Sequence, residues 1–181
     1  MNITENKKFE QRLLVQSRMD ALTKICNRGY GEAQIEKLLK AKKNGMFLLF
    51  DVDKFKHIND TYGHSIGDEV LIQVADALKQ TFEQAGVCMR LGGDEFAVYA
   101  PEITEQMQAE TMIQAFFERI RNIAIPQMEG DAISVSLGAV LCAPDREHVF
   151  EKVYQRADAT MYTCKKVIGN SYDFYTGRNP A

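Results

Sequence analysis

Hydrophobic positions along the chain change spacing several times, and each change marks an element. Phe9, Leu13, Leu14 and Val15 form a weak helical stripe within residues 4–19. A second helical pattern runs from about Gly31 to Lys43, with Ile35, Leu38 and Leu39 on one face. Met46 to Phe50 is an unbroken apolar run after Asn44-Gly45, which predicts a strand buried on both faces. Leu71, Val74, Ala75, Leu78 and Phe82 then recur at helical spacing and predict a long helix ending near Gly86. Two short strand patterns, Val87 to Arg90 and Phe96 to Ala100, flank Leu91-Gly-Gly-Asp-Glu95, so a hairpin with glycines in its turn is expected. Past Pro101, Ile113, Phe116, Phe117 and Ile120 mark another helix, and Ile133-Ser-Val-Ser-Leu137 alternates as a half-buried strand. Val149, Val153, Ala157 and Met161 predict a last helix, and Tyr172 to Tyr175 a terminal strand. The order α, β, α, β-hairpin, α, β, α, β fits an α+β fold: a central, mostly antiparallel sheet flanked by helices, of the palm or ferredoxin-like kind.

Length and composition suit one domain. The chain has 181 residues, 45% hydrophobic and 26% charged, enough to bury roughly 70% of its unfolded surface without a disulfide or structural metal. We expect the domain over residues 20–176, with a tail at 177–181. Residues 1–19 form either a helix packed on the domain or the stub of a longer connecting helix. The longest aliphatic and aromatic run, Met46 to Phe50, falls far short of the ~20 residues of a membrane span, and the start lacks a signal-peptide profile. The expectation is a soluble, cytoplasmic domain with no membrane contact of its own. Cys26, Cys88, Cys142 and Cys164 are scattered and read as reduced thiols. Net charge is −3, which argues against a nucleic-acid partner. That charge is uneven, +5 over residues 1–44 and −8 over the remainder.

The candidate chemistry lies in the acidic part. Asp51 and Asp53 follow the buried strand, and Asp94 and Glu95 occupy the hairpin turn. If the hairpin pairs beside that strand, several carboxylates converge and their repulsion calls for cations; hard oxygen donors of this kind suit Mg²⁺ with substrate phosphates. Turn preference and strand-end charge would equally account for either segment alone. An EF-hand is excluded, because Phe55, Lys56 and Tyr62 stand where a ligand, the loop glycine and the closing Glu belong. Residues 54–68 read as a polar ligand loop, with Lys54, Lys56 and nearby amides available to phosphate. For Asn59 and Asp68, helix capping is an equal alternative. His57 and His64 lack the third nitrogen or sulfur ligand a zinc site needs.

Arg90-Leu-Gly-Gly-Asp-Glu-Phe96, preceded by Phe50-Asp-Val-Asp-Lys-Phe-Lys-His-Ile-Asn-Asp-Thr-Tyr-Gly-His-Ser-Ile-Gly-Asp68, closely resembles the GGDEF family of bacterial diguanylate cyclases. Asp20-Ala-Leu-Thr-Lys-Ile-Cys-Asn-Arg28 is similar to the family's opening segment, Ile133 to Gly138 to its later strand, and Ala157-Asp-Ala-Thr-Met-Tyr-Thr-Cys-Lys165 to its last helix. The resemblance implies condensation of two GTP molecules into cyclic di-GMP, with release of two pyrophosphates. It implies that Asp51, the Val52 carbonyl, Asp94 and Glu95 hold two Mg²⁺ or Mn²⁺ ions per half-site. Asp94, Glu95 and Lys56 would be catalytic. Lys54, Phe55, Lys56, Asn59, His64, Asp68, Gly92, Gly93 and Lys165 would bind substrate, with Asn59 and Asp68 reading guanine. Each domain of the family holds one GTP, so a homodimer is needed, and an upstream sensory or coiled-coil segment usually controls the encounter. Three positions depart from the pattern. Glu83 and Gly86 replace the Arg-x-x-Asp of product inhibition, so no inhibitory site is expected. Gly169 stands where an Arg commonly contacts phosphate, unless Lys166 substitutes, and Gly29 replaces a frequent Arg. The alternative is a GGDEF module that binds GTP and regulates a neighbouring domain without making product. A template-reading palm enzyme is disfavoured by the acidic main domain.

Overall fold

The computed structural model of the chain describes residues 3–144 and 146–177; the expected tail lies outside them from residue 178 on. In chain order the elements are α1 (Ile3–Arg18), α2 (Arg28–Lys40), β1 (Met46–Val52), α3 (Phe55–Tyr62), α4 (His64–Phe82), β2 (Val87–Gly92), β3 (Glu95–Ala100), α5 (Gln106–Arg121), a 3₁₀ turn at Pro126–Met128, β4 (Val135–Leu141), α6 (Phe150–Cys164) and β5 (Ser171–Phe174). The sheet order is β2-β3-β1-β4-β5. Every neighbouring pair is antiparallel except β4 and β5, which run parallel around α6. The first four strands thus make the βαββαβ arrangement of a ferredoxin-like core.

Both faces of the sheet are covered, because β1 alternates two apolar sets. Met46, Leu48, Phe50 and Val52 pack with α4 and α5 side chains such as Val74, Leu78 and Phe116. Phe47 and Leu49 pack on the other face with Ile35 and Leu39 of α2 and with Phe150, Val153 and Met161 of α6. Phe50 stacks on Phe96 at 5.3 Å and touches Phe116 at 5.0 Å. Truncating any of these rings to Ala would cost about 3–5 kcal/mol.

Two local readings are corrected. Residues 54–68 are not a loop: apart from Lys54, which precedes α3, and Gly63 between the helices, they lie in α3 and α4. Polarity misled there because only Ile58 of α3 is buried. The later strand starts at Val135 and is buried almost throughout, with Ser136 wholly inaccessible, so the alternation of serines does not mark a solvent face. Helix α1, one of the two options for the first residues, has no buried residue and meets the domain at its C-terminal end. There the Asn27 amide side chain and backbone N–H donate to the Ser17 and Arg18 carbonyls, while the Arg18 guanidinium lies over the Tyr30 ring.

Candidate active site

Strand β1 delivers the first acidic group to the end of the sheet. Asp51 lies opposite Glu95 of β3 and Ser136 of β4. The β2–β3 turn that carries Asp94 is short, and Gly92 and Gly93 adopt φ of +143° and +54° there, values that L side chains rarely take. A bulge between Arg90 and Gly92 twists the end of the hairpin. Arg90 then fastens the turn. Its Nε and Nη2 donate to the Gly93 carbonyl at 2.9 and 2.7 Å, and its Nη1 pairs with Asp20 at 3.1 Å. Asp20 also accepts from the Thr23 amide and hydroxyl. The opening segment of the domain is in this way tied to the turn that presents Asp94.

Beyond Val52 the chain turns sharply into α3. Lys54 holds a left-handed conformation, φ +52°, and α3 begins at the next residue with its first N–H groups unpaired within the helix. On the opposite side α6 ends at Cys164 and the turn Lys165 to Gly169 follows. Asn170 steadies this turn by accepting from the Val135 N–H at 2.9 Å. Between these elements lies a cleft of about 730 Å³. Asp51, Val52, Lys54, Phe55, Lys56, Asp94 and Lys165 all line it, together with Lys166, Gly169, Tyr62 and Asp131.

Charge is unbalanced at its acidic end. Burial raises the Asp51 carboxyl above its ordinary value; Lys165 pulls it back, and Asp53 and Asp158 push it further. Asp94 is likewise raised by burial and then by Asp51. The Lys165 ammonium sits 2.7 Å from Asp51 Oδ2, and that contact holds its own proton more tightly. Two half-buried carboxyls beside the Val52 backbone, with the one ammonium of Lys165 next to them, provide hard oxygen donors, and these fit Mg²⁺ or Mn²⁺. Among the described residues no three His, Cys, Asp or Glu side chains are gathered as a ready metal cluster. Water or phosphate oxygens would have to complete a coordination shell.

Asp53 and His57 also line the cleft, whereas Glu95, Asn59, His64, Asp68, Gly92 and Gly93 are not among the residues that wall it. Glu95 Oε1 accepts from the Tyr154 hydroxyl of α6 at 2.6 Å. Asn59 is half-buried in α3 against Gly67, where any Cβ would collide with its amide oxygen. His64 and Asp68 are exposed in the first turns of α4. Sequence reasoning missed the groups that hold the site from behind. Tyr154 carries no pattern of its own. Tyr62, which donates to Asp131 across the far side of the cleft, looks like any partly apolar helix residue. The serine pair of Ile133 to Leu137 was a visible signal, read the wrong way round.

Comparison with known proteins places this architecture. The chain is 36% identical over 160 residues to the diguanylate cyclase DosC of Escherichia coli K12, covering 82% of this chain and 33% of that protein. It is 30% identical over 174 residues to the probable diguanylate cyclase DgcC of the same strain, covering 92% of this chain and 46% of that protein. The chain therefore spans less than half the length of these curated relatives. The coiled coil and GGDEF domain of DgcB from Caulobacter crescentus, solved in complex with c-di-GMP, shares the fold with a TM-score of 0.86 at 22% identity, over 95% of this chain and 93% of that one. The family model described as diguanylate cyclase, GGDEF domain, matches residues 17–171. With Gly92-Gly-Asp-Glu-Phe96 at the β2–β3 turn, the chain belongs to the GGDEF-domain family of diguanylate cyclases.

Proposed function

We propose that the domain condenses two GTP molecules into cyclic di-GMP and two pyrophosphates, each of two copies presenting one bound GTP to the other. The observation that carries this reading is the convergence of Asp51 and Asp94 with Lys54, Lys56 and Lys165 around one cleft: a carboxylate end for a divalent cation and a cationic rim for a triphosphate. When bound, Mg²⁺ or Mn²⁺ at Asp51, the Val52 carbonyl and Asp94 supplies acidification of the attacking 3′-hydroxyl and charge neutralisation at the α-phosphate. The first N–H groups of α3 and the ammonium groups of Lys54 and Lys56 orient phosphate oxygens. Lys165, which lines the cleft and pairs with Asp51, would be available to phosphate oxygens if a cation were held by that carboxylate. Asn59 and Asp68 accept from the guanine N1–H and amine, a donor pair adenine lacks. Glu95, braced by Tyr154, would be the carboxylate available to a second ion.

Two half-sites make a two-fold product, so a C₂ pair of domains is required. Helix α1, with Phe9, Leu13, Leu14 and Val15 all exposed, supports such pairing, and an upstream sensory or coiled segment would govern it. Among the described residues no helix is long and apolar enough to cross a membrane.

One observation favours a GTP-binding module without turnover: Gly169 lines the cleft and brings no guanidinium to it. Concentrated protein incubated with GTP and Mg²⁺, followed by chromatography, separates the two. The cyclase reading expects cyclic di-GMP and pyrophosphate in equimolar ratio to half the GTP consumed and to all of it, respectively. GTP binding without product, in a covalently enforced dimer, would establish the silent module instead.

A further inference from the structure

Asp53 is the second carboxylate at the end of β1 and lines the cleft, and the reaction assigned to the cleft gives it no task. Its position is unlike that of Asp51. Ser134 Oγ donates to Asp53 Oδ2 and Ser136 Oγ to Oδ1, each at 2.6 Å. The Asp53 backbone N–H also donates to the Ser134 carbonyl at 2.9 Å, extending the pairing of β1 with β4 past the strand end. Ser136 is completely buried, so its hydroxyl has no water to turn to, and hydroxyl-to-carboxylate bonds of this length are among the stronger kinds.

The next residue explains the arrangement. Lys54 holds a left-handed backbone that costs a non-glycine residue about 1 kcal/mol or more and persists only where its surroundings dictate it. On its far side α3 supplies one constraint, through the Ile58 N–H donating to the Lys54 carbonyl at 3.1 Å. On its near side the constraint is Asp53. Tyr62, at the other end of α3, donates to Asp131 and, at 3.5 Å, to the Met128 carbonyl. Both ends of α3 are thereby clamped to the segment that leads into β4.

We infer that Asp53 is a positioning residue: by gripping Ser134 and Ser136 it sets the strained turn that aims Lys54, Phe55 and Lys56 into the cleft, and it does not hold the metal. The nucleotide part of this inference rests on the cyclase reading; the anchoring part stands on geometry alone.

The test compares the parent with Asp53→Ala, Asp53→Asn, Ser136→Ala and Asp51→Asn. Initial rates are measured against GTP at saturating Mg²⁺ and against Mg²⁺ at saturating GTP, and amide hydrogen exchange is followed over residues 54–58. Asp53→Ala should raise the GTP KM about tenfold while the Mg²⁺ midpoint stays within about twofold of the parent. Asp53→Asn keeps an acceptor and a donor for the two serines and should recover most of the KM. Exchange at 54–58 should quicken about tenfold in Asp53→Ala and stay near the parent in Asp53→Asn. Ser136→Ala should repeat the Asp53→Ala pattern in weaker form, and carries the test if Asp53→Ala does not fold. A Mg²⁺ midpoint shifted in Asp53→Asn as far as in Asp51→Asn makes Asp53 a metal ligand and overturns the inference, as does unchanged KM and exchange in Asp53→Ala. If the parent makes no cyclic di-GMP, the cyclase reading fails, and the exchange data alone decide whether Asp53 anchors the turn.

Discussion

The Lys165 ammonium lies 2.7 Å from Asp51 Oδ2, where it supplies the positive charge that a divalent ion would otherwise bring. A cation arriving at Asp51 has to displace it. Lys165→Met should therefore tighten Mn²⁺ binding in the absence of nucleotide and weaken GTP binding about tenfold, because a phosphate contact is lost. Calorimetric titration with Mn²⁺ alone and with GTP reads the two effects separately. Weaker Mn²⁺ binding by the variant would show that Lys165 does not compete for Asp51.

Asp94 separates activity from stability. Burial and then the Asp51 charge raise its carboxyl, so ionised Asp94 costs the folded state stability at neutral pH. A carboxyl raised on folding imposes that cost above its folded pKa and is relieved of it as pH falls below its unfolded value. Asp94→Asn should lose about 10³-fold or more in turnover yet unfold in urea at a higher midpoint than the parent at pH 7. The gain should shrink toward acid. A variant less stable than the parent at pH 7 contradicts this account.

Asp20 has the opposite sign. Burial alone would raise its carboxyl, but the Thr23 hydroxyl and amide and the Arg90 guanidinium outweigh it and leave it below the ordinary 3.8. Its contribution is present above the unfolded pKa and disappears as pH falls through the folded one. Asp20→Asn should cost about 1–2 kcal/mol at pH 7, with the deficit vanishing in strong acid. Since Arg90 also holds the Gly93 carbonyl, Arg90→Ala should lower kcat more than it raises the GTP KM. Steady-state rates across a GTP series check that division.

Base choice should depend on α3 and the start of α4. Asp68→Ala is expected to narrow the preference for GTP over ATP by about 10- to 100-fold while pyrophosphate binding changes little. Gly67→Ala, which drives a methyl into the Asn59 amide, should act in the same direction. Competition binding with GTP, ATP and pyrophosphate measures all three. Unaltered discrimination in Asp68→Ala removes it from guanine recognition.

Much of this was legible in the chain because it is local. The apolar run Met46 to Phe50 could only be a strand covered on both sides, and the helical spacing from Leu71 to Phe82 placed the long α4 within a turn of its observed end. Gly92-Gly93 announced a turn of unusual backbone, and the signature around it named the chemistry to look for. What polarity obscured was α3 and the first turn of α4: a helix with one buried residue has no stripe to read, and residues 54–68 passed for a loop.

Sequence alone therefore determined most of the elements, though not α3, along with the acidic character of the β1 and hairpin ends and the identities of the groups offered to a metal and a triphosphate. Only the tertiary structure decided how those groups divide their work. Asp51 and Asp53 are two residues apart and chemically alike, yet one meets Lys165 across the cleft while the other is taken by Ser136 of β4 and by Ser134 just before it. Asp94 and Glu95 are adjacent, yet one faces the cleft and the other leans on Tyr154. Partners of this kind come from segments 59 to 114 residues away, brought near by strand pairing and helix packing. A carboxylate's role follows from the charge and hydrogen bonds that reach it, and those are set by the fold as a whole.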